Sequence, residues 1–187
     1  MGDPARGAAV IRDARPEDAA RCAAIYAPYV TGTSVTFETE PPTAEELARR
    51  IAAAQRAHAW LVTERDGVVQ GYAYAGAFRA RSAYARTAET SIYLAQDAGG
   101  QGLGRPLYAA LLDRLRGLGY GTAVAGTTPP NPASAALHRS LGFRQVGAFT
   151  RVGRKFGRWH GCDWFELALR EDVDEPGIGA EGAPRLP

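Results

Sequence analysis

The sequence predicts a single α/β domain built on one mixed sheet covered by helices, and three observations carry that prediction. Two strand-like runs, residues 59–64 and 68–75, flank Arg65-Asp66-Gly67, a hairpin signal because glycine tolerates positive φ. A further strand-like run at 88–94 feeds a glycine-rich turn, a helix and then the strand-like residues 122–127, a strand–helix–strand unit. At 187 residues, 45% hydrophobic and 22% charged, the chain can bury one core and has an ordinary globular composition.

Residues 1–7 read as a flexible start, and residues 8–170 as the domain. Val10 and Ile11 belong to a short strand that ends before Pro16. Pro16, Glu17 and Asp18 open a helix carrying Ala20, Ala23, Ala24 and Ile25 at helical spacing; proline and acids suit a first turn. Gly32 and its β-branched neighbours should end it. Thr43 is an N-cap, with Glu46 completing a capping box, for a helix that runs to about Ala57.

Beyond the hairpin, residues 78–87 form a polar loop bearing arginine and tyrosine. The strand at 88–94, a helix at 102–117 and the strand at 122–127 follow. Asn131 and Pro132 open another helix that reaches Leu141, with Gly142 as its C-terminal cap. Two last strands, 145–150 and 163–169, are expected to flank a loop at 153–161. Residues 171–187, rich in Gly, Pro and acids, should be disordered.

The formal net charge of +2 is scattered, so no nucleic-acid partner is expected. Of the 22 basic residues only Lys155 is lysine, a bias that lowers the weight of any single arginine. Cys22 and Cys162 make no disulfide framework, and His58, His138 and His160 are too dispersed for a metal site. No apolar run approaches membrane-spanning length and no apolar leader follows Met1, so a cytoplasmic protein is expected, without a membrane partner or a metal.

The chemistry concentrates after the strand at 88–94, in Gly99-Gly100-Gln101-Gly102-Leu103-Gly104-Arg105-Pro106. Glycines let backbone amides approach a ligand, and the following helix adds free N–H groups and its positive dipole end. A phosphate-binding nucleotide loop would need Gly-Lys-Ser/Thr where Gly104-Arg105-Pro106 stands, and a dinucleotide fingerprint would need glycine at Arg105 or Leu107. Neither pattern is met. Read alone, the turn docks some other anion or no ligand at all.

With these residues on the page, the chain resembles the GNAT superfamily, and within it the phosphinothricin N-acetyltransferase-like branch. The matching motif is Arg/Gln-x-x-Gly-x-Gly/Ala at a helix start; Gly102 and Gly104 fit, while Gly99 replaces the leading Arg or Gln. Further matches are residues 33–40, 81–93, Asn131-Pro132-Ala133-Ser134 with Leu137-His138, Leu141-Gly142-Phe143, and residues 155–160. The resemblance implies a GNAT-like fold, acetyl-CoA as cosubstrate and a homodimer. It implies that Ile92, Tyr93 and Leu94 pair with the pantetheine arm, that the turn from Gly99 through Gly100, Gln101, Gly102, Leu103 and Gly104 to Arg105 holds the pyrophosphate, and that Asn131 lies near the arm. Asn131 taken alone reads as a helix cap.

Acetyl transfer needs a neutral amine, so a base must help near neutral pH, because alkylammonium groups titrate around pKa ~10. The resemblance places the catalytic glutamate at Glu89, where burial or a relaying water must strengthen a group with a reference pKa of about 4.3. His138, at the family's His/Tyr position, suits proton transfer better, with a reference pKa of roughly 6.5. Without the family, Glu89 reads as solvated surface and His138 as a structural histidine. The resemblance implies that the loop with Arg79, Arg81 and Tyr84 holds the acidic end of an amino-acid-like substrate, with Phe37 and Tyr93 as walls; guanidinium forks and a phenol donor suit a carboxylate or phosphinate. Arg79 can equally be solvated surface. Lys155 either shapes the substrate site across a dimer interface or is an ordinary surface charge. The implied activity is acetylation of the α-amine of a small acidic amino acid analogue; the alternatives are another amine acceptor, such as a peptide N-terminus or an antibiotic, and a non-catalytic CoA-binding sensor.

Overall fold

A computed structural model describes residues 7–170, so the expectation for 171–187 and that for the start before Gly7 lie outside the described residues. The elements run β1 (Val10–Asp13), α1 (Ala19–Gly32), α2 (Ala44–Ala57), β2 (Trp60–Arg65), β3 (Val68–Ala77), β4 (Thr87–Leu94), α3 (Gly104–Gly117), β5 (Thr122–Thr127), α4 (Pro132–Ser140), β6 (Arg144–Lys155) and β7 (Arg158–Ala168). All seven strands form one sheet in the order β1-β2-β3-β4-β5-β7-β6. Every neighbouring pair is antiparallel except β4 and β5, the product of the β4–α3–β5 crossover.

Strand side chains alternate between faces, and this divides the core in two. Trp60, Val62 and Tyr72 pack with Ile25, Val30, Leu47 and Ile51 of α1 and α2. Leu61, Ala73, Ala75 and Ala88 pack with Leu107, Tyr108, Leu111, Leu112 and Leu115, the buried stripe of α3. The tight β2–β3 turn is the expected one, with Asp66 and Gly67 at φ 51 and 76. Thr43 caps α2 by accepting from the Glu46 amide at 3.1 Å.

Three boundaries differ from expectation. Pro16–Asp18 form a 3₁₀ turn, and α1 begins only at Ala19. The Asp18 carboxylate fixes that turn from its start, accepting from the Arg15 amide and from both terminal nitrogens of Arg12. The Arg12 guanidinium holds the Asp18 carboxyl below the ordinary range, first through its hydrogen bonds. A depressed carboxyl pKa stabilises the fold above the ordinary aspartate range, and that contribution fades as pH falls through the folded value. Asp18→Asn is therefore expected to cost about 1–3 kcal/mol near neutral pH. The cost should shrink once aspartate is protonated, as urea unfolding at pH 7 and pH 3 would show.

A second difference is at α3, which opens at Gly104 rather than Gly102 because Gly102 has φ 76. The third is larger. The loop expected at 153–161 is almost wholly strand, closed by a turn with Phe156 and Gly157 at φ 50 and 75. Gly153 and Gly161 look like breakers in sequence, but packing requires them. A Cβ on Gly153 would sit 2.5 Å from the Phe37 ring, and one on Gly161 would sit 2.5 Å from the Phe149 carbonyl oxygen.

Candidate active site

Strands β4 and β5 pair only from Thr87↔Thr122 to Glu89↔Val124. Beyond Glu89 the pairing stops, and a cleft of about 420 Å³ opens between residues 90–96, Gly126 and Thr127, and the α4 side. This leaves the β5-facing backbone edge of β4 free to pair with an extended amide-bearing ligand. Ile92, Tyr93 and Leu94 line the cleft, as do Gly99, Gly100, Asn131 and His138.

The glycine turn closes one end. α3, with Leu103 at its N-cap position, carries no side-chain cap, as α1 does not, and its first amides beside the cleft are open to a ligand. Gly100 and Gly102 hold φ 74 and 76, with nothing within 4 Å of where a Cβ would stand. Leu103 is buried in the core beneath, and Gly104 faces Leu94 and Leu137 side chains at 3.5 and 3.7 Å from its Cβ position. Those two positions pack α3 onto β4 and α4; Gly102 and Arg105 are exposed. Gln101 donates to the Asp97 carbonyl at 2.7 Å and accepts from Arg65 Nη1 at 2.6 Å, which ties the turn to the β2–β3 hairpin.

Asn131 caps α4, its side-chain oxygen accepting from the Ser134 amide at 3.2 Å, while also lining the cleft. His138, two turns on, is only 3% exposed. Its ring stacks on Phe165 and meets Phe143 and Tyr108 edge-on. Nδ1 lies 2.7 Å from the Ser134 carbonyl oxygen, and Nε2 lies 3.1 Å from the Tyr108 hydroxyl. Burial pushes its pKa down, partly offset by the bond to Ser134, so the neutral ring prevails at physiological pH.

Glu89 pairs with Gly76 of β3 and shares a sheet face with Ser91 and Tyr93. Tyr93 meets Tyr26 and Tyr29 of α1, whereas Thr90 bonds Tyr108 of α3. Glu89 and His138 therefore flank the opening from opposite faces of the sheet. Burial raises the Glu89 pKa, and the Arg79 charge opposes that rise. A half-buried carboxylate with a raised pKa is a stronger base than one in water.

On the Glu89 face, Phe78 packs edge-on against Tyr84 and Trp164, with the Arg79 guanidinium 4.9 Å over the Phe78 ring. Arg81 is exposed just before the Ser82–Tyr84 turn. Phe37 is 37% exposed and lies against Gly153 and His160. Lys155 is not an ordinary surface charge: it is 4% exposed and donates from Nζ to the Thr36 carbonyl at 2.8 Å, fixing the segment that carries Phe37. Of the expected substrate residues, Tyr93 alone lines the cleft; Phe37, Arg79, Arg81, Tyr84 and Lys155 do not, and of these Arg79 is the one whose charge acts on Glu89.

Thr90, Tyr108 and Trp164 also stand at the site without any role expected from the sequence, and Ser134, named only within the match at 131–134, bonds His138. Trp164 Nε1 is buried without a partner among the described residues, a donor close to Gly126 and Phe78. The signal for Tyr108 was available, since it is the polar-tipped member of an apolar helix stripe.

Comparison with known proteins bears on this arrangement. The family model described as an acetyltransferase (GNAT) domain matches residues 11–164. The chain belongs to the GNAT acetyltransferases. It is thus an acyl-CoA-dependent N-acetyltransferase with the family's mixed sheet. A phosphinothricin N-acetyltransferase from Streptomyces coelicolor is 40% identical over 164 residues, covering 85% of this chain and 95% of the relative. An L-methionine sulfoximine/L-methionine sulfone acetyltransferase from Pseudomonas aeruginosa is 37% identical over 166 residues, 86% of this chain and 95% of the relative. Among solved structures, a GNAT superfamily phosphinothricin acetyltransferase from Sinorhizobium meliloti in complex with acetyl-CoA superposes with a TM-score of 0.82 at 35% identity, over 95% of this chain and 93% of that one.

Proposed function

We propose that this GNAT enzyme acetylates the α-amine of a small acidic amino acid analogue, of the phosphinothricin or methionine sulfoximine kind, by direct attack in a ternary complex. The observation that carries the reading is the split between β4 and β5, which begins just beyond Glu89, the last paired residue of β4, and opens a cleft lined by His138. When bound, acetyl-CoA supplies an acetyl group activated as a thioester. The free edge of Ile92–Leu94 suits its amide-bearing arm. The uncapped start of α3, with Gly99–Gly102 before it, suits its pyrophosphate.

Glu89 accepts a proton from the incoming ammonium, directly or through water, and Arg79 keeps that carboxyl ionised. His138 receives or positions a second proton from the other side. Arg79, Arg81, Tyr84 and the Trp164 N–H supply cationic and neutral donors for a carboxylate or phosphinate. Phe37 and Tyr93 form apolar walls, and Lys155 holds the Phe37 segment in place. Thiol release measured with phosphinothricin, methionine sulfoximine and their carboxyl-amidated forms tests the substrate class. Amidation is expected to abolish turnover, and equal rates would overturn the reading.

Arg65 and Gln101 brace the pyrophosphate turn. Arg65→Ala is expected to raise the KM for acetyl-CoA roughly three- to tenfold, the worth of about one hydrogen bond, with kcat little changed. A short acetyl thioester lacking the pyrophosphate should be used equally well by both forms.

The proposed assembly is a homodimer, and the proposed compartment is the cytoplasm. No helix among the described residues is long and apolar enough to cross a membrane. Val146, Phe149, Val152, Phe156 and Trp159 are each 47–58% exposed on the β6–β7 hairpin, an apolar surface that suits a second copy.

A further inference from the structure

Between the carbonyls of Val124 and Ser134 runs a chain of four contacts at hydrogen-bond distance. Thr90 Oγ1 donates to the Val124 carbonyl at 3.0 Å and lies 2.7 Å from the Tyr108 hydroxyl. That hydroxyl lies 3.1 Å from His138 Nε2, and Nδ1 lies 2.7 Å from the Ser134 carbonyl. A carbonyl can only accept, so each end contact is filled only when the chain itself supplies the proton. Ser134 Oγ is 3.4 Å from Nδ1, but the much shorter carbonyl contact fixes the N–H on Nδ1.

The proton count follows. Four contacts need four protons. The threonine and tyrosine hydroxyls bring one each, and a neutral imidazole brings one. If Tyr108 donates to His138, Thr90 must either face Tyr108 with a lone pair or turn its own proton to Tyr108 and leave the Val124 carbonyl contact unfilled; if Tyr108 donates to Thr90, two lone pairs face each other at Nε2. Only the imidazolium completes the chain. We infer that Thr90, Tyr108 and His138 form a proton acceptor built one proton short, which takes up and returns one of the two protons that the amine gives up during acetyl transfer.

Both ends touch the cleft, since Thr90 and His138 line it. The groups packed around the imidazole are Tyr108 from α3, Thr90 beyond it from β4, Ser134 from α4, Phe143 after α4 and Phe165 from β7. Tyr108 is the titratable one among these contacts, and no charged side chain figures among the causes of His138's shift. A proton arriving at Thr90 Oγ1 moves on to Tyr108 as the phenol proton passes to Nε2, and the reverse sequence returns it.

The balance over the reaction is complete. As the nitrogen–carbon bond forms, the original ammonium loses two protons. One goes to Glu89 and solvent. The other rests on His138 and leaves with the thiol when the carbon–sulfur bond breaks and sulfur takes the electron pair. This assignment rests on the acetyl-transfer reading, with Tyr108 and Thr90 as positioning residues.

Nitrogen-detected NMR titration of the full chain, with His138 assigned through His138→Asn, tests it without any substrate. The neutral ring should carry its proton on Nδ1. Thr90→Val removes the unfavourable lone-pair contact and should lower the proton affinity of His138 about tenfold, the worth of one hydrogen bond. Tyr108→Phe should lower it too, and Thr90→Ser should restore the original titration. In Thr90→Val and Tyr108→Phe kcat should fall while the KM for acetyl-CoA holds, and Thr90→Ser should keep kcat. A neutral Nε2–H tautomer, or an unchanged titration in Thr90→Val, would overturn the inference. If the titrations come out as expected but no amino acid analogue is acetylated, the substrate reading fails and the proton count stands.

Discussion

Glu89→Gln is expected to lower kcat about 10²–10³-fold, within the range that a positioned base contributes, and to leave the KM for acetyl-CoA nearly unchanged. The amide keeps the shape of the carboxylate and its place opposite Gly76, but accepts no proton. Because burial lifts the carboxyl above its ordinary range and Arg79 holds it down, the acid limb of kcat/KM should lie above that of a solvated glutamate. A base is active only when ionised, so Arg79→Met, which removes the opposing charge, should move the limb to higher pH. Stopped-flow thiol release across pH 5–9 would check both variants. An unchanged profile in Glu89→Gln removes Glu89 as the base.

The second large effect is expected at Gly102. Its φ of 76 lies in the left-handed region, and nothing stands within 4 Å of a Cβ there, so the obstacle is conformational rather than steric. Gly102→Val forces a β-branched residue into that region at a cost of roughly 1–3 kcal/mol, or moves the turn. Either outcome spoils the aim of the amides at the start of α3. The KM for acetyl-CoA should rise about ten- to hundredfold, with kcat at saturation falling much less. Gly99→Ala is the control: Gly99 has φ −60, and its Cβ would meet nothing closer than 3.7 Å, so the cofactor KM should hold. Equal effects at the two positions would show that flexibility, not the backbone angle, matters in the turn.

Periodicity and turn chemistry made most of the fold legible. Thr43 and Asn131 signal caps, Asp66-Gly67 signals a hairpin, and the stripe of α3 signals a buried helix face; each stands where these local rules put it. The β6–β7 hairpin was not legible because the need for Gly153 and Gly161 arises from residues far off in sequence or across a strand pair, Phe37 and Phe149. The site shows the same division. Glu89, His138, Asn131 and the glycine turn stand in recognisable order along the chain. That Glu89 and His138 approach from opposite faces depends on where the β4–β5 pairing stops, which no local pattern specifies. Lys155 illustrates the limit most clearly, since its burial against the Thr36 carbonyl is a contact across 119 residues.

The central claim is that this cleft delivers acetyl to the α-amine of an amino acid analogue with a free acidic end. Incubating the purified chain with acetyl-CoA and phosphinothricin or methionine sulfoximine, then locating the acetyl group by carbon–proton NMR, tests it most directly. The account predicts one acetyl per molecule on the α-nitrogen, formed at a rate that collapses in Glu89→Gln. Acetyl-CoA bound without any acetylated product, or acetyl transfer that proceeds undiminished in Glu89→Gln, would contradict it.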